Sequence, residues 1–143
     1  IENKKTFCMY GDIAMDTLLY NSLSSLSKSL DMELFPTYSF GRIYSQGDEL
    51  HKHKDRPSCE ISGTLNLGGD PWSIFLKDTN KKNVEITLNP GDILMYKGAD
   101  LEHWRKPFLG KICAQVFLHY TTNKKNIYDG RPMLGLPPYF KSK

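Results

Sequence analysis

Between Met15 and Leu30 the apolar residues recur at helical spacing. Met15, Leu18, Leu19, Leu23, Leu26 and Leu30, with Ser22 among them, fall on one stripe. Asp12 or Asp16 is placed to cap the start, and Pro36 prevents the helix from running further. The pattern predicts one amphipathic helix over about residues 13–31, packed on a sheet. From Thr37 onward the period changes. Short β-type runs at 38–44, 59–67, 72–76, 84–88, 93–96 and 112–120 are separated by Gly, Pro, Asn and Asp. Val84, Ile86 and Leu88 alternate with Glu85 and Thr87, as in a half-buried strand. Residues 78–83 read as a polar hairpin tip, and Asn89-Pro90-Gly91-Asp92 as a β-turn. Short strands at this spacing predict an all-β sandwich or barrel, and a jelly roll is the version whose open mouth holds a small site. The tail, 121–143, carries Gly130, Pro132, Gly135, Pro137 and Pro138 and is expected to be irregular, draped over the barrel or serving as a linker.

Composition narrows the class. The 143 residues are 39% hydrophobic, 12% aromatic and 24% charged, which excludes a disordered tail or a fibre. No apolar run approaches the roughly 18 to 20 residues of a membrane-spanning helix, and Ile1-Glu2-Asn3-Lys4-Lys5 begins no signal peptide. A soluble, cytoplasmic single domain over 1–143, without a membrane partner, is expected. The start at Ile1 fits a piece of a longer protein. Nineteen Lys and Arg against sixteen Asp and Glu give a charge of +3, and pairs such as Lys81-Lys82 and Lys124-Lys125 make no basic stripe, so a nucleic-acid partner is not expected. Cys8, Cys59 and Cys113 are odd in number and form no C-x-x-C pair. That excludes a disulfide framework and a thiolate zinc site, and suits a reducing compartment.

The chemistry gathers on the histidines of the β portion: His51, His53, His103 and His119. Residues i and i+2 of an extended chain project to one side, so His53 and Asp55 can converge on one ion. With His103 as third ligand the set becomes two His and one carboxylate, leaving positions open, which suits a non-haem Fe(II) oxygenase. His51 is read as a neighbour of the ligands or as solvated, and His119, near a strand end, as structural or exposed. Trp104 and Tyr96 are placed to line a mouth.

The stretch Arg42-Ile43-Tyr44-Ser45-Gln46-Gly47-Asp48-Glu49-Leu50-His51-Lys52-His53-Lys54-Asp55 resembles the segment leading into the metal site of prolyl 4-hydroxylase-like 2-oxoglutarate/Fe(II)-dependent dioxygenases. Residues 89–96, then His103 with Pro107 four residues later, resemble the second half of that family's pattern. Gly110-Lys111 and the run 112–120 resemble its closing strand. The resemblance implies a double-stranded β-helix (a cupin-like jelly roll), with Fe(II) bound by His53, Asp55 and His103. It implies 2-oxoglutarate as co-substrate, consumed with O2 to succinate and CO2 while an unidentified substrate, peptide or small molecule, is hydroxylated. The far carboxylate of 2-oxoglutarate would meet a cation. Lys111 matches that place at the start of the last strand, eight residues after His103. Arg105, two residues after His103, competes for it with a bidentate guanidinium. Tyr44 resembles the family tyrosine that hydrogen-bonds the co-substrate, and Asn66 a second polar contact.

Pro90-Gly91-Asp92, followed eleven residues after Asp92 by His103, also resembles the second motif of cupins. That resemblance implies a metal held by His51, His53 and His103, with Glu60 beside them, and no 2-oxoglutarate.

Overall fold

The computed structural model describes residues 6–127 and 129–132. In chain order the elements are β1 (Phe7–Tyr10), α1 (Ile13–Asn21), α2 (Leu23–Leu30), β2 (Phe35–Ser45), β3 (Leu50–His53), β4 (Ile61–Gly69), β5 (Ile74–Lys77), β6 (Asn83–Ile86), β7 (Ile93–Tyr96), β8 (His103–Arg105) and β9 (Ile112–Thr121). One antiparallel sheet has the order β1-β2-β9-β4-β7 and the other β3-β8-β5-β6. Successive strands change sheets at nearly every connection, which is the jelly roll expected from the sequence. Among the described residues, no helix is long and apolar enough to cross a membrane.

Register decides what each face of the large sheet carries. Residues directly opposite in an antiparallel pair share a face. Across β2 and β9 these pairs include Tyr38↔His119, Phe40↔Phe117, Arg42↔Gln115 and Tyr44↔Cys113. Across β9 and β4 they include Ser62↔His119, Thr64↔Phe117 and Asn66↔Gln115, and β7 adds Tyr96 opposite Ser62. This face is aromatic and polar, and it points into the barrel. The opposite face offers Val116, Leu118 and Tyr120 of β9 with Ile61 and Leu65 of β4, and these pack against Leu19, Leu34 and the apolar stripe of the helices. The largest apolar core therefore lies outside the barrel, beneath α1 and α2. Two polar contacts fix the docking: Tyr120 donates to the Leu19 carbonyl at 2.8 Å, and Ser39 donates to the buried Asp16 carboxylate.

The single helix expected over 13–31 is two. Asp12 caps α1, its side chain accepting from the Met15 N–H at 3.0 Å. The break falls at Ser22, next to Asn21, both residues whose side chains compete for backbone hydrogen bonds. Ser22 itself keeps a right-handed helical backbone, so α2 continues the stripe onto the same sheet. Asp31, in the left-handed conformation at φ 51°, ends α2 before Pro36 is reached.

Strand bounds also shift. The run at 59–67 begins at Ile61, because Pro57–Cys59 forms a 3-10 turn; 72–76 becomes β5, and 84–88 becomes β6, where Val84 is exposed. β1, β3 and β8 went unpredicted, being only three or four residues long, with His and Lys in β3 and His and Arg in β8. Of the tail, Lys124–Asn126 forms a 3-10 turn, and Asp129 ties back by ion pairs to Arg56 and Arg131. Residues 133–143, with Gly135, Pro137 and Pro138, lie outside the described residues.

Leu19 is 1% exposed and Leu18 37%. Leu19→Ala is expected to lower unfolding free energy by about 3 kcal/mol and Leu18→Ala by less than about 1 kcal/mol, measured by urea titration.

Candidate metal centre

His53 closes β3 and His103 opens β8, and the two are paired across the small sheet. Asp55 follows β3 and is held by its N–H, which donates to the Gly98 carbonyl at 2.8 Å. One ligand atom from each of the three lies within 4.8 Å of the others. His53 Nε2 is 3.4 Å and His103 Nε2 3.5 Å from the same oxygen, Asp55 Oδ1. Both rings are aimed from behind. His53 Nδ1 lies 2.7 Å from the His51 carbonyl and His103 Nδ1 2.9 Å from that of Leu101. With Nδ1–H donating there, each ring turns its Nε2 toward the gap beside Asp55, as a donor to the carboxylate when the ring is protonated and as a lone pair for a metal when it is neutral.

The electrostatics follow from this closeness. Burial pushes the Asp55 carboxyl up, but hydrogen bonds from His103, His53 and Ser62 outweigh it and hold the group far below the usual carboxylate range. The hydrogen bond to Asp55 raises His53, against the opposing effect of burial. A cation is thus favoured between the Nε2 atoms and Oδ1, whether a proton or a metal.

A second set of groups steadies Asp55. Ser62 Oγ donates to Asp55 Oδ2 at 2.7 Å and lies 3.1 Å from His119 Nδ1. The hydroxyl proton goes to the carboxylate, so His119 Nδ1–H donates to Oγ. Burial pushes the His119 imidazole down to about 4, leaving it neutral in this chain of bonds. Gly98 is packed so closely that a Cβ there would fall 2.5 Å from Ser62 Oγ and closer still to Asp55 Oδ2. The triad opens on a cavity of about 430 Å³, walled also by Tyr38, Phe40, Arg42, Tyr44 and Tyr96.

No family model and no curated protein sequence matches the chain. Solved structures do. An oxidoreductase of the 2OG-Fe(II) oxygenase family from Burkholderia pseudomallei superposes with a TM-score of 0.68, covering 82% of this chain and 66% of that one at 11% identity. The fold is that of the 2OG-Fe(II) oxygenases. A prolyl-4-hydroxylase from Pseudomonas putida gives a TM-score of 0.64 at 15% identity, covering 82% of this chain and 72% of that one. HygX from Streptomyces hygroscopicus, solved with nickel and 2-oxoglutarate bound, gives 0.67 at 11% identity, covering 84% and 71%. The chain spans about two thirds of the length of the first of these structures.

Within this oxygenase fold the residues singled out from the sequence separate. Tyr44 lines the cavity, 1% exposed, its phenol pushed up by burial. Arg105 lies inside the barrel at 2% exposure, its Nη1 donating to the Trp72 carbonyl at 2.5 Å and its Nη2 to Thr64 Oγ1 at 3.4 Å. Its Nε has no hydrogen-bond partner, and burial pulls its pKa down. Lys111 is exposed, and its backbone N–H donates to Asp70 at 2.6 Å on the surface. Asn66 is buried but spent: its Nδ2 donates to the Leu88 carbonyl and its Oδ1 accepts from the Gly68 N–H. His51 points outward beside Glu49 with its side chain 72% exposed, and Glu60 accepts from Thr121 and Thr122. Neither His51 nor Glu60 joins the cluster of His53, Asp55 and His103. Trp104 stacks on Phe75 at 5.7 Å on the outer face of the small sheet, away from the mouth. Arg42, Ser62, Gly98 and the inward His119 were missed, since only strand register brings them to the site.

Two outcomes test this arrangement. Gly98→Ala is expected to weaken Co(II) binding by about 10- to 100-fold, as for loss of a supporting contact behind a ligand, measured by calorimetry. In the metal-free protein, His119 binds a proton readily only when unfolded. Its contribution is full above the unfolded pKa of 6.5 and is lost as pH falls toward about 4, up to about 3 kcal/mol. Urea unfolding from pH 7 to pH 4 is expected to be flatter for His119→Gln by about that amount.

Proposed function

We propose that this chain is a non-haem Fe(II)- and 2-oxoglutarate-dependent dioxygenase that hydroxylates an organic substrate, peptidyl or small, in a reducing cytoplasmic setting in keeping with its three free cysteines. One observation carries the reading: the Nε2 atoms of His53 and His103 converge on a single oxygen of Asp55, at the edge of a cavity. Two neutral imidazoles and a carboxylate are the donor set of a non-haem Fe(II) site with open positions. When bound, Fe(II), 2-oxoglutarate and O2 would supply oxidative decarboxylation to succinate and CO2, coupled to hydroxylation of a substrate C–H bond.

The protein's part is to bind, orient and compensate charge. Asp55 stays ionised because its histidines and Ser62 hold it so, and the His51 and Leu101 carbonyls fix the two rings. The inward residues of β9 bring no permanent cation to the barrel, and Lys111 lies on the surface. The far carboxylate of 2-oxoglutarate is therefore assigned to Arg105. A buried guanidinium without a counter-ion is costly, and a carboxylate on its free Nε–H removes that cost. Tyr44 and Thr64, both beside Arg105, complete the floor. The cupin-type reading with His51 lacks support, because that ring faces solvent.

Anaerobic titration of the Fe(II)-loaded protein with 2-oxoglutarate, followed by the visible charge-transfer band, tests the assignment. The wild type is expected to develop the band, and His53→Ala, Asp55→Ala and His103→Ala to lose it. Arg105→Gln should weaken 2-oxoglutarate about 10- to 100-fold, whereas Lys111→Ala should not. Intact metal binding with no band would overturn the dioxygenase reading.

A further inference from the structure

Arg42 is a second guanidinium inside the barrel, and the co-substrate does not account for it. It lies on the inward face of β2, between Phe40 and Tyr44, and lines the same cavity as the metal ligands. Its Cζ sits 4.5 Å from the centre of the Tyr44 ring. The ring face meets the charge without supplying an oxygen to the guanidinium N–H donors. Nε is buried and has no hydrogen-bond partner, and no carboxylate among the described residues pairs with the side chain.

The charge balance of the loaded site points the same way, and here the argument rests on the reading given above. Fe(II) and dianionic 2-oxoglutarate cancel, as do Asp55 and Arg105. Among the described residues Asp55 is the one carboxylate lining the cavity, and Arg56 shares the single carboxylate of Asp129, at 3.3 Å, with Arg131 at 3.2 Å. Arg42 and the exposed Lys54 have no carboxylate partner among the described residues, and the Arg56–Arg131–Asp129 cluster keeps one further positive charge, so the cavity wall is net positive with Arg42 its inward guanidinium. A neutral substrate closing over Arg42 would strip water from a cation and give it nothing in return. A carboxylate would accept from the Nε–H and Nη–H edge in the bidentate mode that guanidinium favours. Beside Arg42 the wall turns apolar: Phe40 and Phe117 face each other across β2 and β9 with ring centres 5.9 Å apart.

We propose that the substrate of this site is an organic carboxylate, its anionic end held by Arg42 and its apolar body lying against Phe40 and Phe117.

The test uses Ni(II)-loaded protein, redox-inert, in two calorimetric steps. The first adds 2-oxoglutarate; the second adds 3-phenylpropionate or the uncharged, equally sized 3-phenylpropionamide. Wild type is expected to take up 2-oxoglutarate and then bind the carboxylate at least about tenfold more tightly than the amide. Arg42→Gln should erase that preference while its affinity for 2-oxoglutarate stays within about twofold, a change well under 1 kcal/mol. Arg42→Lys, keeping the charge without the fork, should retain part of it. The proposal is overturned if the amide binds as well as the carboxylate, if neither binds, or if the preference survives in Arg42→Gln. It is also overturned if Arg42→Gln loses 2-oxoglutarate, which would assign Arg42 to the co-substrate. A wild type that binds Ni(II) but no 2-oxoglutarate fails at the first step, and the dioxygenase reading falls with the proposal.

Discussion

One carboxylate organises this molecule. Asp55 sits outside regular structure, yet its N–H is tied to Gly98, one oxygen is fixed by Ser62, and the other faces the Nε2 atoms of two histidines. Each tie comes from a different stretch of chain: β3, the loop after β7, β4 and β8. The position of Asp55 is therefore correct only when both sheets have formed in register. The packing at Gly98 makes the point sharply, because no side chain fits between the loop and the carboxylate. Folding and site assembly are in this sense one event.

That dependence fits the placing of the largest apolar cluster outside the barrel, with smaller clusters around Tyr44 and Phe108 and around Ile74 and Leu76. A jelly roll filled with aliphatic side chains would be a stable box with no room for chemistry. Here Leu19, Leu34, Ile61, Val116 and Leu118 are buried on the outer side of the large sheet, with the helices as their cover. The inner side is thereby free to carry Tyr38, Arg42, Tyr44, Ser62 and His119 around a cavity. Burial on one face thus supports polarity on the other. It also sets the character of the polar groups: His119 is kept neutral and Tyr44 kept protonated by desolvation.

The general fold and the pairing of His53 with Asp55 were legible because both depend on short-range pattern, whereas His103, fifty residues on, entered through the resemblance to the dioxygenase family. His53 and Asp55 are two residues apart, and the punctuated β runs gave the jelly roll, with β7 and β9 placed to within a residue. The helical stripe was equally clear, although its break at Ser22 was not, since apolar periodicity continues across it. What stayed hidden depends on register. Nothing local in Ser62, Gly98 or Arg42 marks it as facing the metal centre, and His119, read as structural or exposed, becomes buried and inward only once Tyr38 and Ser62 flank it on neighbouring strands. Asn66 erred in the opposite direction: it lies on the inward face, but the turn at Leu88 and Gly68 consumes its carboxamide.

The proposed preference for Arg105 over Lys111 rests on where each residue stands relative to its strand. Lys111 precedes β9, and the first inward position of that strand is Cys113, opposite Tyr44. Lys111 shares that inward parity but stands before the strand begins, where its N–H is tied to Asp70 and its side chain is exposed at the surface. Arg105 shares the parity of His103 on β8, so its long stem enters the barrel from the opposite sheet and carries the guanidinium to Thr64 and the Trp72 carbonyl. The inward positions at the start of β9, Cys113 and Gln115, are neutral, and Gln115 lies across from Arg42 of β2. On β8 the Arg105 guanidinium is tethered by two hydrogen bonds and still holds a free Nε–H. A donor tethered in that way loses little further freedom on meeting a carboxylate, so the entropy of ordering it has already been met by folding.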